Sequence, residues 1–289
     1  MPHGKKKRHP RPPWQSGETR PKSKAKEPVL TDGTSEITTN PIFGQLKLAE
    51  VMLRGVYQYR SPAALIFTGP PGIGKSTVVR KIVAENGLPW RPWRPSAAEL
   101  INVIRKHHTR GNVLVFDDYD EVWANREQLS IFKIALDTQA ERILSRDVRG
   151  PNRIKPFRVD CGMVFISNKN FDDPGDFSPA IWSSMIPAIK QRCAIMSLSF
   201  ERRHVIDYTL WLAIEGGMLK NIRFKGGEKG DLMLSRQKAY EVLEFVDAHL
   251  DRLPDLTPRT LEKLALVRLH PAYAENWRAV AEREVAVRA

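Results

Sequence analysis

The segment Gly69-Pro70-Pro71-Gly72-Ile73-Gly74-Lys75-Ser76-Thr77 lies between an apolar run, Ala63-Ala64-Leu65-Ile66-Phe67-Thr68, and a stretch with apolar residues at Val78, Val79, Ile82 and Val83. The order reads strand, tight turn, helix. Gly69, Gly74, Lys75 and Ser76 fit the spacing G-x-x-x-x-G-K-[ST]. In that pattern glycines let the backbone curl until its N–H groups converge on phosphate, the lysine reaches the outer phosphates, and the serine hydroxyl ligates magnesium. The helix that follows points its positive end at the same anion. A nucleotide is therefore expected here.

Downstream, Asn112-Val113-Leu114-Val115-Phe116-Asp117-Asp118 is an apolar strand ending in two carboxylates. Open parallel α/β sheets collect their ligand chemistry at such strand ends. Asp117 is expected on the magnesium side, directly or through water, and Asp118 at the attacking water; a surface turn with incidental acids is the alternative. Gly162-Met163-Val164-Phe165-Ile166-Ser167-Asn168 is a second buried strand ending in a polar residue. If the two strands are neighbours, Asn168 sits beside Asp118 and orients water or the terminal phosphate.

The remaining elements follow from periodicity and caps. Pro41-Ile42-Phe43-Gly44-Gln45 leads into a helical pattern, Leu46 to Tyr57, close enough to the loop to cover the base or simply to pack on the core. Gly87 is a helix stop. Leu88 to Pro95, with Trp90, Arg91, Trp93 and Arg94, is too proline-rich for a central strand along its length. Its tryptophans and arginines suit packing on the next helix ahead of a nucleic-acid strand; that helix runs from Ser96 to His107 behind a Ser96/Glu99 capping signature. A helix is expected from Glu127 to Ala140. Between Arg142 and Arg158 six basic residues meet one acid around Gly150-Pro151-Asn152. That reads as a β-hairpin whose Arg146, Arg149, Arg153 and Lys155 contact a phosphate backbone, or as a solvated loop. Ile186 to Cys193 reads as a helix with Arg192 at its end, a solvated charge or a group reaching a neighbouring subunit's nucleotide. Beyond Glu201 the pattern is helical, Arg203–Ile214, Arg236–Leu250, Pro258–Leu269 and Ala272–Arg283, with a glycine-lysine loop at Lys225 to Lys229. Arg259, in the first turn of a helix capped by Thr257, is a cation where the helix dipole disfavours one, which implies a nearby anion.

Composition bounds the class. The chain has 289 residues, 42% hydrophobic, and a formal charge of +13. Residues 1–26 hold nine Lys or Arg against one acid, so eight of the thirteen net charges lie there. Such a segment has too few apolar residues to bury itself and is expected to be a disordered basic tail. It reads as an arm along a polyanion, a nuclear-import-like patch, or a solubilising extension. Two cysteines exclude a disulfide framework and point to a reducing compartment. No apolar run approaches the roughly 18 residues of a membrane span, so a soluble, cytoplasmic protein without membrane contacts is expected.

Taken together, these motifs resemble those of the AAA+ ATPases over about residues 36 to 270. GPPGIGKST is similar to their Walker A motif, VLVFDD to Walker B, FISN to sensor one, IKQRC to the arginine-finger segment of clamp-loader-type members, and TPRTLEKL to sensor two. IFGQ resembles the motif lining the adenine pocket. The resemblance implies an α/β fold, a P-loop NTPase core with a central parallel sheet flanked by helices and followed by a small helical lid. The domains would be a tail at 1–35, a nucleotide-binding domain at 36–200 and a lid at 201–289. It implies ATP and Mg²⁺ as cofactors. Lys75, Asp118, Asn168 and Arg192 would be catalytic, and Ser76 and Asp117 would hold the metal. Ile42, Phe43, Gly69 through Thr77 and Arg259 would bind the nucleotide. Two departures stand out. Walker B carries Asp-Asp where the family has Asp-Glu, and the basic stretch before sensor one is similar to the pre-sensor hairpin of minichromosome-maintenance and superfamily-three viral helicases. The expectation is a phage- or plasmid-like replication ATPase, working as a homo-oligomeric, hexameric ring on DNA with replication proteins as partners, in a bacterial host cytoplasm if phage-encoded. A protein remodeller and a nucleotide switch with little turnover are the competing readings.

Overall fold

A computed structural model of the protein describes residues 40–59, 63–138, 141–146, 154–227 and 230–285. The basic tail and the hairpin-tip residues Arg149 and Arg153 lie outside the described residues. The elements are α1 (Pro41–Arg54), β1 (Ala64–Thr68), α2 (Lys75–Glu85), α3 (Ala97–His107), β2 (Val113–Asp117), α4 (Arg126–Ala135), β3 (Ile143–Arg146), β4 (Ile154–Arg158) and β5 (Gly162–Ser167). They continue with α5 (Pro179–Ser184), α6 (Ile186–Lys190), β6 (Ala194–Ser197), α7 (Arg202–Ile214), β7 (Arg223–Gly227), β8 (Gly230–Met233), α8 (Arg236–His249), α9 (Pro258–Leu269) and α10 (Trp277–Glu284).

Among the described residues, β2, β5, β1 and β6 form one parallel sheet in that spatial order. All of β1 and all of β5 are buried, as continuous apolar strands must be when helices cover both faces. The strand period of two divides their side chains cleanly. Ala64, Ile66, Leu114, Phe116, Met163 and Phe165 face a core completed by α3, α4, α5 and α6. Leu65, Phe67, Val115, Val164 and Ile166 face a second core closed by α1 and α2, with Ile42, Leu53, Val79 and Ile82. The result is an α/β sandwich with a P-loop at the carboxyl end of its central strand.

The outer edge of β2 explains the proline-rich stretch. Pro92 makes a single parallel bridge with Val115, and Trp93 N–H donates to the Val115 carbonyl at 2.8 Å. Proline has no N–H to extend that ladder, so a would-be fifth strand stops at one rung. Both tryptophans take the packing role: Trp90 is half-buried on the α1/α2 side beneath Arg80, and Trp93 on the opposite core beneath Arg91.

The basic hairpin forms, with β3 antiparallel to β4 and Leu144 opposite Phe157. Helix α4 stops at Ala135 rather than near Ala140, its last carbonyls tied off by the Leu136 N–H. After residue 201 the helices surround a third core built on Phe245, Leu261, Leu264 and Trp277. Two features there differ from expectation. Strands β7 and β8 form an antiparallel pair around the glycine-lysine loop, because Phe224 and Leu232 face each other and pack on the third core. Residues 271–273 are a separate tight turn capped by the His270 side chain, so the last helix starts at Trp277. No helix among the described residues is long and apolar enough to cross a membrane.

Candidate functional site: a phosphate loop facing paired carboxylates

Parallel pairing brings the ends of β1, β2 and β5 to one edge of the sheet, with Thr68 level with Ser167 and Asp117 level with Ile166. The loop after β1 runs through left-handed backbone at Gly72 (φ 82°) and Gly74 (φ 97°), conformations that glycine reaches without the Cβ penalty. A Cβ on Gly72 would also meet the Thr257 hydroxyl at 2.8 Å, so this turn packs directly on the start of α9.

Lys75 begins α2 and is only 6% exposed. Its ammonium donates to the Gly69 carbonyl (2.6 Å), the Pro70 carbonyl (2.8 Å) and Asn168 Oδ1 (2.9 Å). Burial lowers its pKa to about 8, opposed by the nearby carboxylates, Asp120 ahead of Asp117 and Asp118, and reinforced by Arg259. One residue on, Ser76 Oγ donates to Asp117 Oδ1 at 3.0 Å. Burial pushes the Asp117 carboxyl up from its ordinary range, while the Ser76 hydrogen bond pulls it back. A hydroxyl and a partly desolvated carboxylate side by side fit Mg²⁺, which keeps most of its waters and takes its remaining ligands from phosphate. No cluster of three or more His, Cys, Asp or Glu among the described residues forms a dedicated metal cage.

Asp118 adopts a left-handed conformation (φ 54°) and turns outward, 67% exposed at its side chain. Arg94 bridges both acids, its Nε donating to the Asp117 carbonyl (2.8 Å) and its Nη2 to Asp118 Oδ2 (2.9 Å). Strands β2 and β5 are neighbours, as the expected placement of Asn168 required. The carboxylate bonded to Asn168, however, is Asp120, which accepts the Asn168 backbone N–H at 3.1 Å. The reason is the short turn at Asp120–Ala124, which folds back toward β5 while Asp118 is drawn to Arg94.

A cavity of about 660 Å³ opens over these groups. The loop residues Pro71, Gly72, Gly74, Lys75, Ser76 and Thr77 border it, and so do Asp117, Asp118, Asn168 and Arg259. Gly69 and Pro70 contribute carbonyls to Lys75 instead, and Ile73 is fully buried. Ile42 and Phe43 do not border the cavity. Ile42 is buried in the α1/α2 core, while Phe43 stacks edge-on against Tyr208 (5.3 Å) and Trp211 (4.7 Å). Tyr208 and Leu212 of α7, with Met218, form the wall in front of Phe43. Sequence reasoning missed Tyr208 and Leu212 because they belong to an ordinary apolar helical stripe. It also missed Arg94 as a cavity residue, although its place beside two tryptophans marked the segment.

Arg192 is away from this cavity. Its Nη1 donates to the Ala188 carbonyl (2.9 Å), its Nη2 lies 3.6 Å from Asp137 Oδ2, and its Nε is buried without a hydrogen-bond partner. Of the hairpin residues, Lys155 is exposed on β4, and Arg158 pairs with Asp160 at 2.9 Å. Arg146 closes β3, opposite Ile154.

No family model matches the chain, and no curated protein matches it. Among solved structures, the crystal structure of a FIGL-1 AAA domain in complex with ADP is similar over 83% of this chain and 82% of that chain, at 12% identity and a TM-score of 0.41. Likeness of that degree does not bear on function, and the geometry of the cavity carries the reading that follows.

Proposed function

We propose that this chain binds ATP with Mg²⁺ between the glycine loop and the paired aspartates and hydrolyses it as a member of an oligomeric ring acting on DNA. The observation that carries the reading is the position of the Lys75 ammonium: buried, held by loop carbonyls, and one residue from a Ser76–Asp117 hydrogen bond. A buried cation satisfied only by neutral oxygens gains most from a triphosphate placed against it. Mg²⁺, held by Ser76 and Asp117, would supply charge neutralisation at the phosphates. In the proposed cycle Lys75 moves from the loop carbonyls to phosphate oxygens. Asp118 leaves Arg94 and takes a proton-accepting position at the attacking water, while Asn168 orients that water. Arg192 leaves Asp137 to stabilise charge in the neighbouring subunit's site, the ring being hexameric. Residues 36–200 act as the nucleotide-binding domain and 201–289 as a lid, with Arg259 reporting phosphate to the lid. The basic charge of the 142–158 segment and of the tail, 1–35, supports DNA as the substrate, in a replication helicase or helicase loader of the cytoplasm.

One observation favours a second reading, a nucleotide-dependent switch with little turnover: Asp118, the carboxylate proposed to act at the water, is already paired with Arg94. ATP binding and turnover, measured alone and with single-stranded DNA, duplex DNA or an unfolded protein, separate the possibilities. Stimulation by DNA is expected. Binding without turnover would leave the switch, stimulation by protein would indicate a remodeller, and no affinity for Mg·ATP would overturn both readings. If DNA binding survives Arg149→Ala, Arg153→Ala and Lys155→Ala together in a chain lacking residues 1–35, the hairpin is not the DNA contact.

A further inference from the structure

Asp120 has so far entered only as a charge near Lys75 and a partner of the Asn168 N–H, yet it makes two hydrogen bonds to the end of β5. Its Oδ1 accepts the Ser167 hydroxyl at 2.5 Å and its Oδ2 accepts the Asn168 backbone N–H at 3.1 Å. Ser167 is 1% exposed, and its Oγ in turn accepts the Lys169 N–H at 3.0 Å. From the opposite side Thr68 at the end of β1 donates its hydroxyl to the Lys169 carbonyl. The last residue of β5 and the two that follow it are thus clamped between the end of β1 and the turn after β2. The side chain they present is Asn168, whose Oδ1 lies 2.9 Å from Lys75 Nζ. Asp120 does not border the cavity, and its charge is the foremost of the nearby carboxylates that raise the Lys75 pKa against burial.

We infer that Asp120 is a positioning residue for ATP turnover: its two carboxylate oxygens splint Ser167 and Asn168 so that the Asn168 amide is held at the phosphate end of the cavity. The inference rests on the proposed ATPase reading and adds to it a residue that acts through Asn168. The splint needs a short side chain with two polar atoms, one of them an acceptor for the Asn168 N–H. Glutamate is a methylene too long for the same turn. Asparagine retains an acceptor for the Asn168 N–H and offers an amide donor to the Ser167 hydroxyl oxygen, so it preserves most of the splint without the charge.

The test compares nucleotide affinity with turnover in the full chain, using a fluorescent ATP analogue for the first and phosphate release for the second. Asp120→Ala is expected to hold affinity within about twofold of wild type, the scatter of independent sites. Its kcat is expected to fall about 10- to 100-fold, the scale of a misplaced reacting group. Asp120→Asn is expected to restore most of that kcat. Adding Asp120→Ala to Asn168→Ala is expected to cost nothing further, because both changes remove one function. A residue that merely supports the fold would lower the melting temperature, weaken affinity and turnover together, and add to Asn168→Ala. Should Asp120→Ala not fold, Ser167→Ala removes one arm of the splint and is expected to lower kcat less, at unchanged affinity. Wild-type turnover in Asp120→Ala, or a fully additive double variant, overturns the inference and leaves the ATPase reading standing. A wild-type protein that neither binds nor hydrolyses ATP overturns that reading, and with it any role for Asp120 in turnover.

Discussion

Lys75 carries a charge at a place where burial opposes it, and the lowered pKa of about 8 records that cost. Removing the charge while keeping an apolar stem of similar length relieves the cost but deletes the phosphate contact. Lys75→Met is therefore expected to melt no lower than wild type at neutral pH while binding Mg·ATP at least about 100-fold more weakly, the scale of losing a charged, desolvated contact. A thermal scan with and without nucleotide reads both; loss of fold together with loss of binding would show that Lys75 is structural. Arg94 presents the opposite case. It occupies Asp118 through a contact exposed to water, worth at most about 1 kcal/mol to stability. Arg94→Ala is expected to leave the urea midpoint unchanged and to raise the basal ATPase rate at saturating nucleotide. A lower rate would mean that Arg94 serves the phosphates rather than restraining the acid.

The glycine loop packs closely on the start of α9. Thr257 caps α9 by accepting the Thr260 N–H at 3.2 Å, and the same hydroxyl fills the space over Gly72. Gly72→Ala adds a left-handed alanine and a clash with that cap. The strain alone is about 1–3 kcal/mol, and the urea midpoint should fall accordingly. Nucleotide affinity should fall with it, since the loop can relieve the clash only by moving off α9. An unchanged midpoint would show that the loop and helix are not in contact. At this scale the strand–turn–helix signal, the Ser96/Glu99 capping box and the Thr257-Pro258 helix start were all legible beforehand, because the first is one contiguous stretch and the other two are built from residues within four positions of one another. The β7–β8 pair was not legible, since Phe224 and Leu232 become strand partners only by packing together on the third core.

At the scale of the whole molecule, three cores among the described residues divide the work: two sandwich the sheet and the third closes the helices after residue 201. On the helices around the third, Arg268 Nε donates to Glu241 Oε2 at 2.5 Å, and this hydrogen bond holds the Glu241 carboxyl below its ordinary range. A depressed folded pKa stabilises the fold above the unfolded pKa, and the contribution is lost as pH falls through the folded value. Glu241→Gln should thus cost about 1 kcal/mol or less near neutral pH and should flatten the acid limb of melting temperature against pH. An acid limb identical to wild type would show that the pair contributes nothing. The buried Cys193 thiol carries the reverse sign. Burial pushes Cys193 up to about 12, so neither thiolate formation nor alkylation at Cys193 is expected in the folded protein at pH 8.

The chain's local order was already determined by residues close in sequence. Glycines at the loop, apolar runs for β1, β2 and β5, and helix caps each act over a few positions, where backbone sterics and hydrogen bonds need no distant partner. Tertiary structure alone decided who meets whom. Lys75 reaches Asn168 across 93 positions, Asp120 reaches Ser167 across 47, and Tyr208 rather than Phe43 faces the cavity. Those choices follow from strand order and from how the third core sets α7 and α9 against the loop, and no short-range pattern encodes either one.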